Sequence, residues 1–197
     1  MYEITEDEQD VLQELMNIAY GSATAVVAEM LDAFATLSIP NIQIMPVSEL
    51  LQTFENLKSK SYFFSSQAFA GEFSGESAFF IDTRSAQNLA KHLEVESDED
   101  LDDAILELTN VLTSTLTTKL TQEMQTQVSF SLPNISHIPL SKITNVAAFK
   151  NYSQVIVIDT QLLFKDQKIN GEIFILTKDE SIQWLKLKLN NILEQLM

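Results

Sequence analysis

Residues 10–21 read DVLQELMNIAYG and residues 103–114 read DAILELTNVLTS, so Asp10, Glu14 and Asn17 return as Asp103, Glu107 and Asn110, each 93 positions later. Pro40 returns at the same distance as Pro133, and the shared pattern is D-x3-E-x2-N-x22-P. At about 100° per residue, positions i, i+4 and i+7 fall within an arc of roughly 60° on a helix. Each copy therefore projects two acids and an amide side by side. The match runs on at an offset of 96, where Gly75-Glu76 returns as Gly171-Glu172, and Ser85, Gln87, Leu89 and Leu93 return as Ser181, Gln183, Leu185 and Leu189. The added residues belong to a loop between Pro133 and Gly171. Halves of about 95 residues are too long and too few for a solenoid. The expectation is one pseudo-twofold domain over residues 1–197, with repeat halves at about 1–96 and 97–197.

The hydrophobic pattern around the motifs has a helical period. Over residues 5–34 it sets Leu12, Leu15, Ile18 or Ala19, Ser22, Val26 and Met30 on one stripe, with Asp10, Glu14, Asn17 and Gly21 beside it. Thr5, followed by Asp7 and Glu8, makes an acidic first turn. A strand over about 37–47 carries Pro40, and strands at 61–70 and 77–82, each with paired Phe, flank a turn at Gly71 and Gly75. Residues 83–93 read as a helix with Ser85 near its cap. The acidic run EVESDEDLDD, 94–103, reads as a solvated linker whose end caps the next helix. The second half repeats this order, with a helix over 100–124, a strand carrying Pro133, strands at 152–164 and 171–177, and a closing helix over 178–197. Hairpin-length links predict an α+β fold, a mostly antiparallel sheet packed with two long motif helices and two further helices.

Composition narrows the function classes. A chain of 197 residues that is 45% hydrophobic can bury a proper core. Without cysteine there are no disulfides or thiolate metal sites, which fits a reducing, cytoplasmic setting. The N-terminus is acidic rather than basic-then-apolar, so no signal peptide is expected. No apolar run approaches the roughly 20 residues a membrane span needs. The net charge of -16 argues against nucleic acid and against an anionic membrane surface, because little here would neutralise phosphates. His92 and His137 stand without zinc or triad partners and read as structural or surface residues; no metal site is expected.

Acids and amides on a helix ordinarily make a solvated face. Here the pattern is kept while the residues around it change, and Asn inside a helix is poor by propensity, so its return needs a reason. The matched proline points to a strand held beside each helix in the same way. A glycosidase pair would need two acids converging on one cleft, and a metal site would need more ligands. An amide beside an acid suits placing a water and contacting a cation on a partner, a device of phosphoryl transfer.

The doubled motif, with the E-L-x-N-[IV] core and Gly21 after it, resembles the CheC/CheX/FliY family of chemotaxis phosphatases over essentially the whole chain. That resemblance implies a protein aspartyl-phosphate phosphatase whose substrate is a phosphorylated CheY-like receiver domain. It implies that Asn17 and Asn110 orient the attacking water and that Glu14 and Glu107 pair with the receiver's lysine. Asp10 and Asp103 would take a supporting role, while Pro40 and Pro133 are structural. Mg²⁺ would come from the receiver, with no cofactor bound by this chain. Two intact motifs favour the CheC type over CheX, although Ser114 stands where the first copy has Gly21. CheD is a candidate second partner, and a FliY-like C-terminal switch domain is not expected.

The chemistry agrees with these roles. An acyl phosphate is already activated, so its hydrolysis mainly needs a placed water and an undisturbed metal. A neutral amide holds that water without repelling phosphoryl oxygens, whereas a carboxylate one turn away must reach a cation instead. The acidic charge predicts association through local pairing and shape rather than long-range steering. The alternative is a non-catalytic adaptor that docks a receiver or a CheD-like partner with the same helices.

Overall fold

The structure, a computed structural model, describes residues 4–38, 41–56, 61–139, 154–177 and 179–196. The first motif helix, α1 (Glu6–Met30), begins where Thr5 closes a capping box with Glu8 and ends at the cap residue Leu31. Its buried face is Leu12, Leu15, Met16, Ala19, Tyr20, Ala23 and Val27. This keeps Leu12, Leu15 and Ala19 of the expected stripe and departs from it further along, where Ala23 and Val27 go inward instead of Ser22 and Val26. Ile18 and Val26 are each 40% exposed, and the half-buried Ser22 donates its hydroxyl to the Ile18 carbonyl. The row that goes inward contains the small, fully buried Ala19 and Ala23, which let neighbouring elements approach the helix closely.

Glu8 is 2% exposed and ties α1 to the closing helix. The Thr5 N–H and the Asn190 amide each donate to its carboxylate at 2.8 Å, and Lys186 stands 3.6 Å away. Burial pushes the Glu8 carboxyl up, but the Thr5 backbone N–H, the Asn190 amide, Lys186 and the Thr5 hydroxyl together hold it below its ordinary value. A depressed carboxyl stabilises the fold above its unfolded value of 4.5, and that contribution is lost as pH falls through the lowered folded value. Glu8→Gln is therefore expected to cost about 1–3 kcal/mol at neutral pH. Urea unfolding should show this cost shrinking at acidic pH, and an undiminished cost there would remove the charge from the explanation.

After α1 come β1 (Thr36–Leu37), β2 (Asn41–Pro46), α2 (Val47–Asn56), β3 (Ser61–Gly71), β4 (Gly75–Asp82) and α3 (Thr83–Leu93). The second half supplies α4 (Asp98–Glu123), β5 (Val128–Phe130), β6 (Asn134–Pro139), β7 (Gln154–Phe164), β8 (Ile169–Thr177) and α5 (Asp179–Leu196). Ser97, within the acidic run, caps α4, and Asp98, Glu99 and Asp100 fill its first turn. The sheet runs β1-β7-β8-β4-β3-β5, with β2 also on β7 and β6 also on β3, and every pairing is antiparallel.

The halves exchange strands. β1 and β2 of the first half lie on β7 of the second, while β5 and β6 of the second lie on β3 of the first. Register repeats as well: Leu37 pairs with Leu162 as Phe130 pairs with Phe69, and Asn41 with Asp159 as Asn134 with Ser66. In the central β4–β8 ladder, Gly75↔Thr177 maps onto Ile81↔Gly171, and Ala78↔Phe174 maps onto itself. The pseudo-twofold axis therefore passes beside Ala78 and Phe174. The residues that change the offset fall in the β7–β8 hairpin, because Phe69 faces Gly75 whereas Leu162 faces Gly171.

Both faces of the sheet are buried. Phe79 and Ile81 join the main core with α1, α3, α4 and α5, while Phe80 and Phe64 join Leu50, Val155, Val157, Phe174 and Leu176 on the other face. The paired Phe residues thus split across the sheet, as the two-residue period of a strand requires. Leu50 belongs to α2, a helix absent from the sequence expectation. The single strand expected over 37–47 is two strands, and the expected strand carrying Pro133 leaves it outside, between β5 and β6. Pro40 lies outside the described residues.

Candidate functional site

Asp10, Glu14, Asn17 and Gly21 are all exposed on α1, while Leu12, Leu15, Met16 and Ala19 between them are buried. On α4, Asp103, Glu107 and Asn110 are likewise exposed and Ser114 is half-buried. The two helices pack against each other and share this division between a buried seam and a polar edge. Each edge combines carboxylates, which accept only, with a carboxamide that both donates and accepts.

The two amides differ in how they are held. Among the described residues, Asn17 Oδ1 has a single long contact, from the Gln13 side chain at 3.4 Å. Asn110 Oδ1 accepts from Gln67 Nε2 at 2.7 Å, and the same nitrogen donates to the Ser131 carbonyl at 2.8 Å. Next to it the Thr109 hydroxyl bonds the Ser65 hydroxyl, so two adjacent side chains fasten α4 to β3. The equivalent positions across the pseudo-twofold are apolar, Met16 and Ile158, both buried in the main core.

Ser131 was not singled out by sequence, nor was its counterpart Ser38. The Ser131 N–H donates to the Ala68 carbonyl at 3.0 Å, and its hydroxyl accepts from the Ala68 N–H at 3.2 Å. Ser38 makes the same two bonds with Gln161, both at 2.9 Å. The signal was present, because residues 38–42 read SIPNI and residues 131–135 read SLPNI. Leu132, 89% exposed, stands on this pinned loop beside Pro133.

Gly21 sits in open space, since a Cβ there would meet nothing within 4 Å. Among the described residues nothing requires a glycine at that turn, and glycine in a helix costs about 0.5–1 kcal/mol relative to alanine. Gly21→Ala is therefore expected to raise Tm by roughly 1–4 °C in a thermal melt followed by circular dichroism. A lowered Tm would mean that this helix turn needs glycine for packing.

Among the described residues, no group of three or more His, Cys, Asp or Glu could hold a metal ion, and no helix is long and apolar enough to cross a membrane. His92 is structural, with its Nε2 2.6 Å from the Leu31 carbonyl at the end of α1.

These features define a class: a duplicated α+β fold with an antiparallel sheet and two edge-presenting helices. The family model described as "Chemotaxis phosphatase CheX" matches residues 63–159, a stretch that contains the second motif and excludes the first. Similar solved structures include FliY from Thermotoga maritima, at 15% identity and a TM-score of 0.76, covering 96% of this chain and 99% of that one. FliM of the H. pylori FliM-SpeE complex follows at 12% identity and a TM-score of 0.65, with 96% and 97% covered. Chemotaxis protein CheX from Vibrio vulnificus matches at 14% and 0.55, with 85% and 98% covered. The structural likeness shows a shared fold. The family match is to the CheX model over residues 63–159.

Proposed function

We propose that this chain is an aspartyl-phosphate phosphatase acting on a CheY-type receiver domain. The observation that carries the reading is the doubled, solvent-facing Glu/Asn edge of α1 and α4, in a chain whose family match is a chemotaxis phosphatase. Asn17 and Asn110 place a water in line with the phosphorus. As the water's oxygen bonds to phosphorus, the bond to the receiver's aspartyl oxygen breaks and the carboxylate leaves. The water's proton passes to solvent or to the released phosphate. Glu14 and Glu107 pair with the receiver's lysine, the receiver keeps its Mg²⁺, and Asp10 and Asp103 support the edge. Gly21 permits close approach of the partner's backbone. The presence of both motifs in the sequence favours the CheC type.

A second reading has its own support. FliM, which shares the fold, is named in a complex with SpeE, so this architecture also serves binding. The test is the lifetime of a phosphorylated CheY-type receiver in Mg²⁺, with and without this protein. Catalysis shortens it. An adaptor binds the receiver and leaves the lifetime unchanged.

A further inference from the structure

The geometry points to Gln67 as a positioning residue that holds the Asn110 carboxamide in one orientation; the role rests on the phosphatase reading. Gln67 sits mid-strand in β3 and is 1% exposed. One of its bonds goes to a backbone carbonyl, which can only accept, so the atom facing Ser131 must be the donating nitrogen. That fixes the orientation of the Gln67 amide, and with it that of Asn110. The Asn110 atom 2.7 Å from the same nitrogen must be its oxygen, so its NH₂ is the end turned away from Gln67.

A second observation shows that Gln67 does not fill this place by packing alone. Its Oε1 is buried and has no hydrogen-bond partner among the described residues. A buried acceptor left unpaired destabilises the fold, and an apolar side chain of similar size would avoid it. Both N–H bonds are spent on the site, one on Asn110 and one on the loop that carries Leu132 and Pro133. The register that pairs Phe69 with Phe130 and Leu162 with Leu37 makes Thr160 the counterpart of Gln67, a residue without a carboxamide. Among the described residues this clamp is seen at the second site. Bonding at Oδ1 also polarises the Asn110 N–H groups into better donors. Its oxygen keeps a second lone pair for water, and its ordering cost is met before the receiver arrives.

The test uses Gln67→Leu in an Asn17→Ala protein, where turnover comes from the second site, with a phosphorylated CheY-type receiver and Mg²⁺. A roughly tenfold fall in kcat with KM held supports positioning. An unchanged kcat overturns it, as does a fall in kcat matched by a rise in KM. Side-chain amide ¹⁵N relaxation of the unsubstituted protein gives an independent reading, in which Asn110 should be rigid and Asn17 mobile. Equal mobility overturns the clamp whether or not Gln67→Leu folds. A rigid Asn110 with no turnover by the Asn17→Ala protein overturns the phosphatase role of that site instead, and the positioning role with it.

Discussion

Replacing Asn17 and Asn110 together by alanine is expected to return the receiver-phosphate lifetime to its value without this protein. Removing a single preorganised polar group from a reacting centre typically costs 10²–10³ in rate, so the double variant should lose about 10²-fold or more. The fold should survive. Among the described residues Asn17 has one long, exposed contact, and alanine is the better helix former. Asn110→Ala removes one acceptor from Gln67, which keeps its bond to the Ser131 carbonyl, and should cost about 1 kcal/mol. Receiver binding should persist through Glu14 and Glu107, so the expected result is a bound but unhydrolysed phosphoryl group. Loss of binding in parallel with turnover would instead make the amides docking contacts and favour the adaptor. The single variants then divide the activity between sites, and the clamp at Asn110 predicts that the second site carries the larger share.

What was legible in the sequence follows from the range of each interaction. The motif edges, the start of α3 near Ser85 and the acidic start of α4 depend on residues within one helical turn, and short spacing reveals them, although the cap itself is Asp82, at the end of the expected strand. The expected helix over 83–93 has the bounds of α3. The α2 helix is not legible because ten residues give too short a window for periodicity, and because the strand expected over 37–47 runs up to its first residue. The expected stripe on α1 holds at Leu12, Leu15 and Ala19 and departs beyond them, because Val26 looks more apolar than Ala23. Packing against close neighbours favours the small residues, whatever their hydrophobicity. Gln67 was out of reach for a different reason. It meets Asn110 across 43 positions through the fold of β3 against α4, and Thr160 at its counterpart breaks the repeat that might have marked it. The exchange of strands between halves has the same character, since the repeat announces two equal units but not which unit a strand pairs with.

Gly75→Ala should produce the largest loss of stability of any conservative change at the centre of the sheet. A Cβ at Gly75 would lie 2.0 Å from the Leu176 carbonyl oxygen and 2.8 Å from the Phe69 ring. The first of these is backbone held in the β4–β8 ladder, so relief requires the two central strands to separate. Overpacking of a tight core costs about 1–3 kcal/mol, occasionally more, and a clash with fixed backbone belongs at or above the upper end. At roughly 3 kcal/mol, Tm should fall by about 6–12 °C. The matched Gly171→Ala should be milder, because its nearest obstacle is the edge of the Phe79 ring at 2.4 Å rather than backbone. A Gly75→Ala protein that melted with the parent would contradict the register that sets Gly75 opposite Thr177. The comparison also separates two reasons for a residue to recur in the repeat. The glycines recur where related strands leave no room for a side chain, and their loss is read in a melt. The Glu/Asn edges meet solvent, and in the phosphatase reading their loss shows in the receiver's phosphate. A Gly171→Ala protein with a lowered Tm and an unchanged specific activity on the receiver would show that the two demands are independent.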